Sequence, residues 1–226
     1  MNDSLTVYLG DNTTVTNANV TLRGTLSTNG YTLLLDGGGF HVESTGEVNG
    51  AGLTVETQGT VTITQNGTFD EALHVLGGTT TASGANSFIR EITVDAGATL
   101  HVPAGDSLIV MNDLAVSGSI TGGDAASSLK LRGRSEGLYS VTLNAASLSV
   151  AHIDLDDGYG RYIAGTGTLT GVTVKVDGGS GLTLNGDLTA TGGAIQLGWC
   201  DIDLSSHVLT LDGVNLTLGA SADVMS

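Results

Sequence analysis

The chain is expected to fold as an all-β parallel solenoid, a single-chain β-helix of stacked coils. Three observations predict it. Apolar residues alternate with polar ones in short runs and almost nowhere recur at helical spacing. Corner dipeptides separate these runs: Asn-Gly at 29-30, 49-50, 66-67 and 185-186, and Asp-Gly at 36-37, 157-158, 177-178 and 212-213. The pattern returns about every 20 residues along the whole chain.

Each short run reads as a strand with its outer residues inward and its middle residue in water. Leu53-Thr54-Val55, Val61-Thr62-Ile63, Leu73-His74-Val75, Leu100-His101-Val102 and Leu108-Ile109-Val110 carry the first half. Val141-Thr142-Leu143, Leu148-Ser149-Val150, Ile153-Asp154-Leu155 and Val172 to Val176 continue it, followed by Leu182-Thr183-Leu184, Ile195-Gln196-Leu197, Ile202-Asp203-Leu204 and Leu216-Thr217-Leu218. Hairpins, a sandwich or a solenoid could all use such strands, and the period decides among them. Strand starts at Leu33, Leu53, Leu73, Ile92, Leu114, Ile153, Val172, Ile195 and Leu216 follow one another in steps of 20, 20, 19, 22, 39, 19, 23 and 21. The step of 39 is two steps with one start hidden near position 133. A sandwich has no reason to keep such a period, whereas stacked coils do. The 226 residues would form a single domain of about 11 coils, with an irregular coil or protruding loop around 122-140. At about 4.8 Å per coil the rod would be about 50 Å long.

Composition follows from stacking. Charged residues are 13% of the chain, with 23 acids against 7 bases and a net charge of -16. Like charges repeated every ~4.8 Å repel, whereas Thr ladders pack and hydrogen-bond, and Thr occurs 31 times. Pro removes a ladder donor, and the single Pro103 falls just past a strand, at a corner. One Cys excludes a disulfide scaffold, and a 40% hydrophobic content argues against disorder. The acidic balance argues against nucleic acid as a partner. No apolar run approaches the ~20 residues of a membrane helix, so direct membrane insertion is not expected.

Runs such as Ile92-Thr93-Val94-Asp95-Ala96-Gly97-Ala98-Thr99-Leu100-His101-Val102 and Leu182-Thr183-Leu184-Asn185-Gly186-Asp187-Leu188 resemble coils of secreted right-handed parallel β-helices. Filamentous haemagglutinin-type and autotransporter passenger domains are the nearest match, with phage tail fibres and tailspikes behind. The resemblance implies a right-handed coil and a non-catalytic, structural or adhesive role without cofactor. The implied location is extracellular, on the cell surface or on a virion fibre. It also implies end-to-end partners, either further coils of a longer parent or neighbouring copies, and host or surface glycans as ligands. Neither a signal-peptide pattern nor an amphipathic capping helix is legible. The chain therefore reads either as a window of a longer surface protein or as a protomer that docks head-to-tail.

Two clusters could carry binding or chemistry. In Lys130-Leu131-Arg132-Gly133-Arg134, three of the seven bases alternate, so Lys130, Arg132 and Arg134 would project from one face. They could hold an acidic sugar, or they could simply answer nearby Asp residues on a solvated strand. Asp154, Asp156 and Asp157 precede Tyr159, Arg161 and Tyr162. Paired carboxylates about 5–9 Å apart serve glycosidases. A polysaccharide-degrading or carbohydrate-binding β-helix of the tailspike kind is therefore the alternative, with Asp154, Asp156 and Arg161 as its residues. Asp201 and Asp203 repeat the spacing without clear alignment. The plainer reading of all these acids is corner residues.

No metal site is expected: the calcium-loading repeat is absent, and His41, His74, His101, His152 and His207 are spread along the rod. Cys200 is expected to be a buried thiol. A flat Thr-x-Thr ladder of the kind that matches ice is also not expected. The pairs at 14/16, 62/64, 79/81, 166/168 and 189/191 do not recur once per coil.

Overall fold

The computed structural model describes residues 6–27, 29–49, 54–84, 87–132, 139–156, 161–176 and 182–225. Among these residues there is no helix, and parallel strands stack into a β-solenoid of about nine turns with roughly 21 residues per turn. The period is thus slightly longer than expected, and the turns number about nine where about 11 coils were expected.

Each turn has three strand positions. Ser107–Val110 lies on a first face, Leu114–Val116 on a second and Ser119–Gly122 on a third. The next turn returns with Ser128–Arg132 on the first face, where Leu129 sits beside Leu108. Val141 then sits beside Leu114 and Leu148 beside Ile120. The corner between the second and third faces is tight enough for one strand to cross it. Thr32–Val42, Thr54–Gln65, Tyr139–Ser149 and Arg161–Thr170 all do so. In the third of these the register shifts between Asn144 and Ala146, and Ala145 takes a positive φ of 53° at the bend.

Inward residues stack as apolar columns. On the second face Leu33, Val55, Leu73, Ile92, Leu114, Val141, Ile163 and Leu184 follow one another, all buried. Leu33, Leu73, Ile92 and Leu114 hold the expected phase; Leu53 lies outside the described residues. The phase then breaks. Leu114 is followed by Val141, well beyond the start expected near 133. Ile153 belongs to the first face, between Leu129 and Val174, with Ile195 and Leu216 beyond. The start inferred near 133 lies outside the described residues; the step from Leu114 to its neighbour Val141 is longer than the period, and the expected frame jumped from one face to another. The alternation is the same on all three faces, so spacing alone cannot distinguish them.

Three buried residues, Ile109, Thr57 and Thr80, break the rule of apolar inside and polar outside. Ile109 points outward in register between Phe88 and Lys130, yet is only 3% exposed. Thr80 and Thr57 point inward, and Thr80 Oγ1 donates to Thr57 Oγ1 at 2.7 Å, so that neither hydroxyl is left unpaired in the core.

Within the stretch expected to be irregular, residues 123–127 form a tied corner between the strands Ser119–Gly122 and Ser128–Arg132. Asp124 Oδ1 accepts from the backbone N–H of Ala126 at 2.9 Å, of Gly105 at 3.1 Å and of Ser127 at 3.1 Å. These bonds, that from Ala126 foremost, hold its carboxyl below the usual carboxylate value. A depressed pKa in the folded state stabilises the fold above the unfolded-state value and loses that effect as pH falls through the folded value. Asp124→Ala should therefore lower the melting temperature at neutral pH, and the gap to wild type should close on acidification. A gap that stays constant with pH would contradict this role.

Candidate functional site on the outward faces

The first face carries the charges. Leu129 and Leu131 are fully buried, so Lys130 and Arg132 project outward from Ser128–Arg132, as expected. Arg134 lies outside the described residues. On the next turn His152–Asp156 places Asp154 beside Lys130 and Asp156 beside Arg132. Asp154 is followed in turn by Lys175. The basic and the acidic cluster are thus neighbouring rungs of one face, about 4.8 Å apart, with charge alternating along the column. Opposite charges on neighbouring rungs avoid the repulsion that stacked like charges would impose. Of Asp156 and Arg161 the backbone alone is described, and Asp157 and Tyr159 lie outside the described residues. Asp201 and Asp203 accept from the backbone N–H of Asp223 at 2.8 Å and of Ser205 at 2.9 Å, so both act as ties at corners.

The second face holds a cluster that the sequence did not reveal. His74 Nε2 lies 3.0 Å from Asp95 Oδ1, and His74 Nδ1 lies 3.8 Å from Glu56 Oε1. His74 is thus held between two acids from the turns on either side. The remaining histidines are separate: His41 sits in register between Thr21 and Thr64, His101 bonds Thr121 Oγ1 at 3.0 Å, His152 bonds the Ala125 carbonyl at 2.9 Å, and His207 lies 3.7 Å from Asp187. Among the described residues no group of three His, Cys, Asp or Glu side chains is placed to hold a metal ion. Cys200 is a buried free thiol, and its neighbour Trp199 is 78% exposed.

The third face overturns the expectation of an irregular hydroxyl pattern. From Thr60 onward its outward positions include two columns; below Thr62 the second column continues as Gly39 and Asn19, which carry no hydroxyl. The first runs Thr60, Thr79, Thr99, Ser119, Ser147, Thr168, Thr189, Thr210. The second runs Thr62, Thr81, His101, Thr121, Ser149, Thr170, Thr191, Asp212. Successive rungs advance in sequence number by 19, 20, 20, 28, 21, 21 and 21. The step of 28 contains the long turn and the bend at Ala145. Among the described residues none of the first column's hydroxyls makes a hydrogen bond within the protein, and in the second column only Thr121 and His101 do. Asp212 is the sole charged member of either column.

The coil and its three ladders define the class of protein, a parallel β-solenoid. No family model, curated protein or solved structure matches the chain.

Proposed function

We propose that the chain is a non-catalytic, rigid rod segment of an extracellular adhesin, fibre or surface filament. The observation that carries this reading is the parallel ladder that runs turn by turn along the second and third faces, beside a first-face ladder in two sections, Thr6–Tyr8 to Thr68–Phe69 and Ser87–Ile89 to Asn215–Leu218. Parallel strands cross-linked turn by turn make a stiff element, and its first-face charges are matched on neighbouring rungs. The end rungs support end-to-end stacking. Leu216, Leu218, Val224 and Met225 are 40%, 44%, 45% and 48% exposed at one end, and Val7 and Tyr8 are 43% and 65% exposed at the other. A further coil-like layer, from a longer parent chain or from a second copy, would cover these apolar side chains and pair the open strand edges. A glycan-cleaving role for Asp154 would have to draw its second carboxylate from Asp156 on the same strand, since its column neighbours are Lys130 and Lys175.

Negative-stain electron microscopy and light scattering over a concentration series test the reading. Elongated particles that join end to end are expected. A monodisperse monomer at high concentration would remove the stacking part. Release of reducing ends from acidic polysaccharides, abolished by Asp154→Asn, would remove the non-catalytic part.

A further inference from the structure

The regular hydroxyl array is confined to one face. Outward positions of the first face mix Lys130, Asp154, Lys175, Gln196 and Thr217, and those of the second mix Glu56, His74, Thr93, Ala115 and Thr142. Neither pattern repeats. The third face by contrast carries a hydroxyl at each of the eight rungs of its first column, and six of the eight are Thr. Rod stiffness has no need of such selectivity, since any uncharged β-former would stack.

Three properties of this array point to the kind of surface it meets. Its repeat along the rod is about 4.8 Å, and its two columns are about 6.6 Å apart, two residues along a strand. Water oxygens on a prism face of ice recur at closely similar intervals in two perpendicular directions. Thr is stiff at χ1 and sits on a fixed ladder, so each hydroxyl and methyl is held in place before contact, and little side-chain freedom remains to be lost. The first-column hydroxyls have no partner within the protein, and only the last rung, with Asp212 beside Thr210, carries a charged side chain that would impose its own hydration shell. A soluble oligosaccharide or a globular protein would present an irregular surface. This array matches a flat and periodic one.

We infer that the third face is an ice-binding surface, with the columns from Thr60 and Thr62 to Thr210 and Thr191 docking on crystalline water. The inference is independent of the rod reading: a stiff rod without this activity leaves that reading intact, and an ice-binding monomer would leave this one intact.

Nanolitre osmometry and ice-affinity partitioning of the purified chain test it. Faceted crystals, a gap between melting and freezing temperatures and enrichment of the protein in the ice fraction are expected. Thr168→Tyr, and separately Thr170→Lys, should lose most of the gap while keeping the wild-type circular dichroism and melting curve. Thr142→Tyr, exposed on the second face, should retain the gap. Crystals that grow as discs with no gap would overturn the inference on wild-type protein alone. Third-face variants as active as wild type would also overturn it, as would retention on crystalline cellulose or chitin without enrichment in ice.

Discussion

Replacing Phe69 by alanine is expected to destabilise the coil by about 3–5 kcal/mol, within the range for deleting a large aromatic from a packed interior. Phe69 is fully buried beneath Val48 of the preceding turn, and its ring meets Phe40 edge-on, with centroids 6.5 Å apart and planes at 76°. About 0.5–1.5 kcal/mol of the loss belongs to that aromatic pair beyond its buried area. The remainder is burial and the cavity left behind, because the backbone ladders of the second and third faces, continuous past this turn, keep the turns from collapsing inward. Phe69→Leu should cost much less, since it refills most of the space. In a stacked fold each turn contacts its neighbours, so the effect should also be local. Amide exchange should quicken around Val48 and Phe40 and stay unchanged around Val174 and Ile195. Urea unfolding gives the total and hydrogen exchange gives the distribution. A loss below about 1 kcal/mol, or a uniform rise in exchange, would show that this interior is not packed as a set of neighbouring layers.

The class of fold was legible because its signals are local. Alternation such as Leu100-His101-Val102 names a strand and its inward side, and a corner such as that at Pro103 ends it, with Asp106 N–H donating to the Pro103 carbonyl at 3.1 Å. Phase was not legible, because Leu114 and Ile153 carry the same pattern on different faces. Every feature that depends on which residue lies above which inherited that loss. Lys130 and Asp154 stood as two separate clusters in the sequence, although they are adjacent rungs of one column. Glu56, His74 and Asp95 could not be joined without knowing that successive turns bring them together. The hydroxyl ladder was obscured for two further reasons. Ser119, Ser147 and His101 occupy rungs where only Thr was sought, and the step from Ser119 to Ser147 spans the lengthened turn and so falls outside the period. Asp124 was missed because Asp in a turn is common, and only its three backbone donors single it out.

Gly165→Ala should be among the most damaging single changes, and comparison with Gly97→Ala shows why. Both glycines sit near the same corner with positive φ, +87° and +80°. Either alanine therefore incurs the left-handed penalty of about 1–2 kcal/mol. At Gly97 an added Cβ would meet nothing within 4 Å, so the penalty is the whole cost. At Gly165 the same atom would collide with the Leu143 carbonyl oxygen of the turn before. Leu143 and Gly165 are ladder partners, so the clash can be relieved only by parting two turns that hydrogen bonds hold together on either side. A total of about 3 kcal/mol or more follows, combining backbone strain with lost ladder bonds. Asparagine separates the two contributions, because it tolerates the left-handed region better than alanine while still carrying a Cβ. Gly97→Asn should recover much of the stability lost in Gly97→Ala, whereas Gly165→Asn should recover little. Melting curves for the four variants decide the matter. Equal losses at the two positions would mean that the turns can separate freely at this corner, and that the coil is held by its flat faces alone.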